Sequence, residues 1–313
     1  MRTKILRHLI TGLFVTESYM KNSTTTKNKM RVPFVLRYIR FVYQTLGRLF
    51  PHHYGNRAYE QWFTTTRFKA PAYELPALDT AQRETVIVND LPIAVYIWPR
   101  QDTDYDRTVL FIHGWTGRGT QIVNYIDRLN AAGYRVISFD GPAHGNSPGR
   151  QTSVLEMTDT VLALGRHYGK IDAAITHSFG GMILAYAMSL GLKIDRAAMI
   201  CPPDNIDIIL DNFQRILTLP ESVMQVLIRK LYATHGQIIN NAVDTVNNLK
   251  TSSCKGLVIH DEDDSDISWH SGAEIAEAWP GAKFIKTGGL GHRRIIHDRD
   301  VIKHITDFLQ DDL

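Results

Sequence analysis

Thr176-His177-Ser178-Phe179-Gly180-Gly181 sets a serine among small residues at the end of an apolar run, Ile171 to Ile175. A helix-like segment, Met182 to Leu190, leads out of it. A strand that ends on such a serine and reverses into a helix describes a nucleophile elbow, which lifts the hydroxyl clear of the sheet. It also aims the N–H groups of the helix N-terminus at whatever binds there. The same residues also read as an ordinary strand-to-helix turn with a capping serine. The choice between the two rests on the rest of the chain.

A serine hydroxyl is a poor nucleophile at neutral pH, so acyl transfer needs a histidine to take its proton, a carboxylate to orient the histidine, and donors for the oxyanion. The glycine-rich turn Gly288-Gly289-Leu290-Gly291-His292-Arg293-Arg294 follows an apolar-polar strand near the end of the chain. His292 is the expected base, ahead of His297, which reads as a helix start. The preceding strand runs into Asp261-Glu262-Asp263-Asp264-Ser265-Asp266-Ile267. Spacing selects Asp264 as the orienting acid, with Asp266 and Asp263 as rivals. A calcium loop would want Gly at Asp266 and Glu at Gly272, so the acidic cluster does not fit that pattern. One oxyanion donor is expected to be the N–H of Phe179, the residue after the serine. The second is expected from the loop His113-Gly114-Trp115-Thr116-Gly117, at Trp115. The Trp115 side chain reads either as a wall of an acyl pocket or as core. His113, His144 and His177 sit beside glycines, but no His-x-x-x-His or Cys/His spacing joins them. They read as structural loop histidines, and no metal is expected.

These residues need a frame. Glu84 to Val88 and Ile93 to Trp98 flank Asn89-Asp90-Leu91-Pro92 and read as a hairpin. Then come strands at Thr108 to His113, Tyr134 to Phe139, Ile171 to Ile175, Arg196 to Cys201, Lys255 to His260 and Ala282 to Thr287. Helical patterns fall between them at 119–132, 153–168, 182–190 and 272–279, and another closes the chain at 298–309. Strands alternating with helices after an antiparallel start predict an α/β fold with a mostly parallel sheet covered on both faces. Between Pro202 and Lys250 the alternation lapses into helical patterning. An insertion at the carboxyl end of a strand lies where ligands bind in open α/β sheets, so residues 203–250 are expected to form a helical cap.

The N-terminal 63 residues read as an extension of this domain, which starts at residue 64. The stretch Lys21 to Lys29, KNSTTTKNK, is polar and not expected to fold, and a start at Met30 is an alternative. The first fifteen residues are basic and then apolar, but no small-residue cleavage site follows. Phe34, Tyr38, Phe41, Val42, Thr45, Leu46 and Leu49 fit one helical face, with Arg31, Arg37, Arg40 and Arg48 opposite. The expectation is a helix packed by its apolar face with solvated arginines, cut short by Gly47 and Pro51. The competing reading is a basic amphipathic helix that touches a membrane surface. Residues 64–84 read as an irregular connector. The 313 residues carry a net charge of +3, too weak to argue for nucleic acid. The two cysteines, Cys201 and Cys254, have no metal or disulfide spacing and read as packed thiols in a reducing, cytoplasmic compartment.

Taken together, the residues resemble the α/β-hydrolase superfamily over about 84 to 310. The match includes an HG-x-x-G loop (His113 to Gly117), a D-G-x-x-x-G-x-S loop (Asp140 to Ser147), the elbow, the acid turn and the Gly291-His292 turn. The order Ser178, Asp264, His292 is that family's order. The resemblance implies an eight-stranded sheet flanked by helices, a helical cap and a hydrolase without a cofactor. One departure is Thr176, where the family usually has Gly. Its Cβ is expected to crowd the turn, with Gly180 and Gly181 compensating. The expected activity is that of a carboxylesterase working through an acyl-enzyme on a small-molecule ester with an apolar part. Two other classes compete. One is a non-catalytic binding protein on a hydrolase fold. The other is a nucleotide-binding oxidoreductase, suggested by Gly114-Trp115-Thr116-Gly117-Arg118-Gly119 and by Asp140 at the end of the next strand, although the glycines are not spaced G-x-G-x-x-G.

Overall fold

The computed structural model describes residues 33–99 and 107–310. The readings of residues 1–32, including the polar stretch and the start at Met30, lie outside the described residues, as does most of the loop at 100–107.

The chain divides into two compact units, one running through Thr66 and resuming at Leu210–Gln237, the other holding Arg67–Ile209 and the remainder from Ile238. The second unit is built on one eight-stranded sheet. Its strands are β1 (Gln82–Val88), β2 (Leu91–Trp98), β3 (Arg107–Ile112), β4 (Tyr134–Phe139), β5 (Ala173–His177), β6 (Arg196–Ile200), β7 (Lys255–Asp261) and β8 (Lys283–Thr287). They lie in the order β1-β2-β4-β3-β5-β6-β7-β8. β1 and β2 pair antiparallel, as do β2 and β4, and every pairing from β4 to β8 is parallel. β3, β5 and β6 are apolar along almost their whole length and buried on both faces, as strands covered by helices must be. All eight strands fall where hydrophobic patterning puts them, to within a residue or two.

The helices of this unit are α3 (Leu75–Thr80), α4 (Ile126–Ala131), α5 (Val154–Tyr168), α6 (Phe179–Ser189), α9 (Ile238–Ala242), α10 (Thr245–Leu249), α11 (Trp269–Ala278), α12 (Gly291–Arg294) and α13 (Arg299–Gln310). α5 opens on the expected capping serine, with the Ser153 hydroxyl accepting the Glu156 N–H at 3.3 Å. The stretch expected as one helix over 119–132 is instead a 3₁₀ segment, Gly119–Tyr125, followed by α4. Its first residue is tied to the sheet: the Gly119 N–H donates to Asp140 Oδ1 at 2.8 Å and the Ser138 hydroxyl donates to the Gly119 carbonyl at 2.7 Å. The connector at 64–84 also holds α3, preceded by a 3₁₀ turn at Ala72–Glu74.

The first unit joins α1 (Phe34–Val42), a single π-helical segment at Tyr43–Gly47, and α2 (Pro51–Trp62) to α8 (Glu221–His235) and most of α7 (Ile206–Leu217). α2 and α8 pack along their lengths. A Cβ at Gly55 would lie 2.4 Å from the Val226 Cβ, so this glycine sets how closely the two helices approach. The structure corrects the face assigned to the N-terminal helix. Leu36, Ile39, Tyr43 and Gly47 are buried, whereas Phe34, Tyr38, Phe41, Leu46 and Leu49 are exposed. Both sets obey helical spacing in a segment apolar on nearly every side, so periodicity cannot choose between them. Shape and polar anchors choose: the Tyr43 hydroxyl donates to Gln61 Oε1 at 3.1 Å, and Arg40 Nε donates to the Ile216 carbonyl at 2.8 Å. Arg40 therefore belongs to the packed side and not to a solvated one. Gly47 does not end the segment, and Pro51 occupies the first turn of α2, where its missing N–H costs nothing.

Candidate active site

Ser178 stands between β5 and α6 with φ +52° and ψ −123°, a left-handed conformation that a side chain adopts only when its surroundings impose it. Close backbone approach imposes it here. A Cβ at Gly180 would lie 2.3 Å from the Ile112 carbonyl oxygen, and one at Gly181 would lie 2.9 Å from the Pro202 Cβ. Thr176 is an interior residue of β5, paired with Ile112 and Met199, and its φ is not positive. The expected crowding at Thr176 therefore does not arise, because the turn's strain is carried at Ser178 and its tight contacts at the two glycines. The threonine hydroxyl is buried and has no hydrogen-bond partner among the described residues.

His292 lies in α12, just past β8. The Ser178 hydroxyl and His292 Nε2 are 2.9 Å apart, and His292 Nδ1 is 2.6 Å from Asp264 Oδ2. Asp264 follows β7, and its side chain is fully buried. Its Oδ1 accepts the N–H groups of Asp266 at 2.8 Å and Ile267 at 2.9 Å. His260 Nε2–H donates to the Ile267 carbonyl at 3.1 Å and stands 3.3 Å from Asp264 Oδ2. Burial alone would raise the Asp264 pKa, but the hydrogen bonds from His260 and His292 outweigh it and hold the carboxyl well below the usual range. An ionised carboxylate is acceptor-only, so His292 carries its proton on Nδ1 and presents Nε2 as the acceptor for the Ser178 O–H. The rivals are elsewhere: Asp266 is 3.6 Å from Arg293, and Asp263 accepts the Gly289 N–H at 2.8 Å. His297 contacts Tyr73 and Asn124.

Sequence reasoning assigned no partner to three supports of this arrangement, one of them His177, which it read only as a structural loop histidine. Asp261 accepts the N–H groups of Leu290 at 3.1 Å and Gly291 at 2.8 Å and the Thr287 hydroxyl at 2.8 Å, pinning the turn that carries His292. Burial opposes ionisation of Asp261, but these donors prevail and lower its pKa. His177 Nε2–H donates to the His292 carbonyl at 2.8 Å. His260, four residues before the acid, backs Asp264. Adjacency in sequence to Asp264 or Ser178 was the available signal for all three, but only folding reveals which direction each side chain faces.

The loop after β3 approaches the elbow closely. A Cβ at Gly114 would lie 3.0 Å from both the His177 carbonyl oxygen and the Ser178 Cβ. Trp115 and Phe179 are partly buried and pack edge to face, with ring centroids 5.3 Å apart. Their backbone N–H groups have no acceptor among the described residues. Two histidines stitch this loop to the one after β4. The Gly141 N–H donates to His113 Nε2 and the Thr116 N–H to His144 Nε2, both at 3.0 Å. The opposite nitrogens donate to the Gly114 carbonyl at 2.8 Å and the Pro142 carbonyl at 2.9 Å. Arg118, at the end of the loop, is held by the buried Glu74, with Nε donating to Oε2 at 2.7 Å. Asp140 accepts Gly119 N–H, Asn146 N–H and the Tyr96 hydroxyl. Its oxygens are thus spent inside the protein, unlike the ribose-binding acid of a dinucleotide site.

Burial lowers the pKa of His113, His144 and His177, the last to about 3. In the unfolded chain each titrates near pH 6.5. Below that pH the unfolded state takes up protons that the folded state refuses, so stability falls as pH falls through 6.5. All three histidines act in this direction, and His177, held to about 3, contributes a loss of up to about 2 kcal/mol between about pH 7.5 and 5. Urea unfolding across that range should show this slope, and a flat profile would mean that the histidines protonate freely in the folded protein. The Asp264 contribution has the same direction but sets in only below about pH 4.

Cys201, Asp264 and His292 each bring a potential ligand atom within 4.8 Å of the others. This set does not suit a metal. The carboxylate and imidazole are spent on each other, and burial pushes the Cys201 thiol well above its ordinary pKa, whereas metals take the thiolate.

A family model described as "Alpha/beta hydrolase family" matches residues 109–303. No curated protein matches the sequence significantly. Among solved structures, an esterase from Pyrococcus furiosus superposes with a TM-score of 0.59 at 19% identity, covering 79% of this chain and 97% of its own. An enol-lactonase from Burkholderia xenovorans gives 0.57 at 16%, covering 73% and 100%. Est1E from Butyrivibrio proteoclasticus, solved with ferulic acid bound, gives 0.56 at 14%, covering 73% and 96%. At these identities the likeness is one of fold.

Proposed function

Because the chain belongs to the alpha/beta hydrolase family, we propose that it is a serine hydrolase that cleaves a small-molecule ester through an acyl-enzyme, in the manner of a carboxylesterase. The observation that carries this reading is the unbroken line from Ser178 Oγ through His292 to Asp264, at 2.9 and 2.6 Å, starting from a serine with φ +52°. Ser178 Oγ attacks the ester carbonyl while its proton passes to His292 Nε2. Asp264 stabilises the imidazolium through Nδ1–H and stays ionised. The free N–H groups of Trp115 and Phe179 hold the oxyanion. As the intermediate collapses, the alcohol leaves with the proton from His292. Water, deprotonated by His292, then attacks the acyl-serine and releases the acid. No cofactor takes part in these steps. The aromatic pair Trp115 and Phe179 beside the serine favours an ester with an apolar acyl or alcohol part.

A fluorophosphonate probe should label the wild type at Ser178, and Ser178→Ala should not be labelled. A folded wild type that resists the probe would remove the nucleophile from the proposal. A panel of p-nitrophenyl esters of increasing chain length then defines the acyl preference.

A further inference from the structure

The first unit exposes apolar side chains that nothing in the hydrolytic chemistry uses. Phe34, Tyr38, Phe41 and Leu49 share one side of α1 and its continuation, and Phe34 is 80%, Phe41 64% and Leu49 70% exposed. Leu46 and Phe50 are exposed beside them. Single exposed apolar residues are ordinary, but a stripe of this size on an otherwise packed helix marks an interaction surface. The opposite side of the segment is already occupied, with Leu36, Ile39, Tyr43 and Gly47 buried. Rotation cannot therefore hide the stripe without exposing the packed side.

Charge identifies the partner. Arg37 and Arg48 are exposed and border the stripe at helical spacing. No carboxylate occurs between Glu17 and Glu60, a stretch that holds eight lysines and arginines. The first fifty residues contain ten Lys or Arg and one Glu, although the whole chain has a net charge of only +3. Seven of those ten lie in residues 1–32, which precede Phe34 in the sequence. Aromatic and leucine side chains on one side of a helix, flanked by arginines and continuous with a basic segment, are what an anionic lipid interface binds. Among the described residues no helix is long and apolar enough to cross a membrane. We infer that Phe34, Tyr38, Phe41 and Leu49 form a docking face that lies on an anionic membrane surface, held by Arg37 and Arg48.

The experiment is co-sedimentation of the full chain with vesicles. Wild type should pellet with phosphatidylcholine vesicles containing about 30 mol% phosphatidylglycerol and at least about tenfold less with pure phosphatidylcholine. The combined substitution Phe34→Ser, Phe41→Ser, Leu49→Ser should lower the partition coefficient by at least about tenfold, with an unchanged thermal melt because the side chains are exposed. Arg37→Gln with Arg48→Gln, or high salt, should weaken binding to the anionic vesicles only. A Phe41→Trp variant, which keeps the face apolar, should be quenched by brominated lipid, and this arm stands even if the serine variant fails to fold. Three results would overturn the inference: no pelleting of wild type, a folded serine variant that pellets like wild type, or light scattering showing that wild type dimerises through this face and the serine variant does not.

Discussion

Asp264→Asn is expected to lower kcat/KM by about 10⁴-fold, whereas Asp266→Asn and Asp263→Asn should change it by no more than a few-fold. The reason is directional. Asp264 Oδ1 is fixed by two backbone N–H groups, from Asp266 and Ile267. The asparagine's carbonyl oxygen takes that place, so its NH₂ faces His292 Nδ1 and His260 Nε2–H. A donor there forces His292 to accept at Nδ1 and to carry its proton on Nε2, where it can no longer take the proton of Ser178. Asp266 sits 3.6 Å from Arg293 at the surface, and at Asp263 an amide oxygen can still accept the Gly289 N–H. Steady-state kinetics on one p-nitrophenyl ester compares all three. If Asp264→Asn stays within tenfold of wild type while one of the others collapses, the orienting acid has been assigned to the wrong residue.

Gly180→Ala is the second large effect. The new methyl would stand 2.3 Å from the Ile112 carbonyl oxygen and 3.0 Å from that of His113. Both neighbours are backbone, so the elbow and the end of β3 must separate. Overpacking of this kind costs about 1–3 kcal/mol. The functional loss should be larger than the stability loss suggests, because the displaced segments carry the two free N–H groups of Trp115 and Phe179. Losing one oxyanion donor costs about 10²–10³ in kcat. Gly165→Ala is the matched control. It lies inside α5, its methyl would meet only the mobile tip of Leu192 at 2.8 Å, and alanine gains about 1 kcal/mol of helix propensity over glycine. It should leave both activity and stability near or above wild type. A Gly180→Ala protein with wild-type kcat would mean that the spacing between elbow and β3 does not govern the oxyanion donors.

Much of the frame was legible because it is written in local patterns. The continuous apolar runs at β3 and β5, the hairpin at Asn89-Asp90 and the capping serine at Ser153 each encode their element within a few residues. Ser178, Asp264 and His292 were legible for a related reason: each sits where a parallel strand hands the chain to a loop, and strand ends can be read from patterning. The N-terminal helix shows where this reading stops. Its apolar residues occupy almost every direction, so spacing alone chose the wrong face. The choice was made by partners distant in sequence, such as the Ile216 carbonyl that receives Arg40 and the Val226 side chain that Gly55 admits.

The sequence by itself determined the order of strands and helices, the three side chains brought into line and the glycines that let backbone segments approach. Tertiary structure alone decided the left-handed turn at Ser178 and the partners that Asp261, His177 and His260 find around it. It also turned Phe34, Tyr38, Phe41 and Leu49 outward. The physical reason is common to all of these. Hydrophobic period and turn chemistry act between residues close in sequence, whereas hydrogen-bond direction and steric fit depend on groups that only the folded chain brings together.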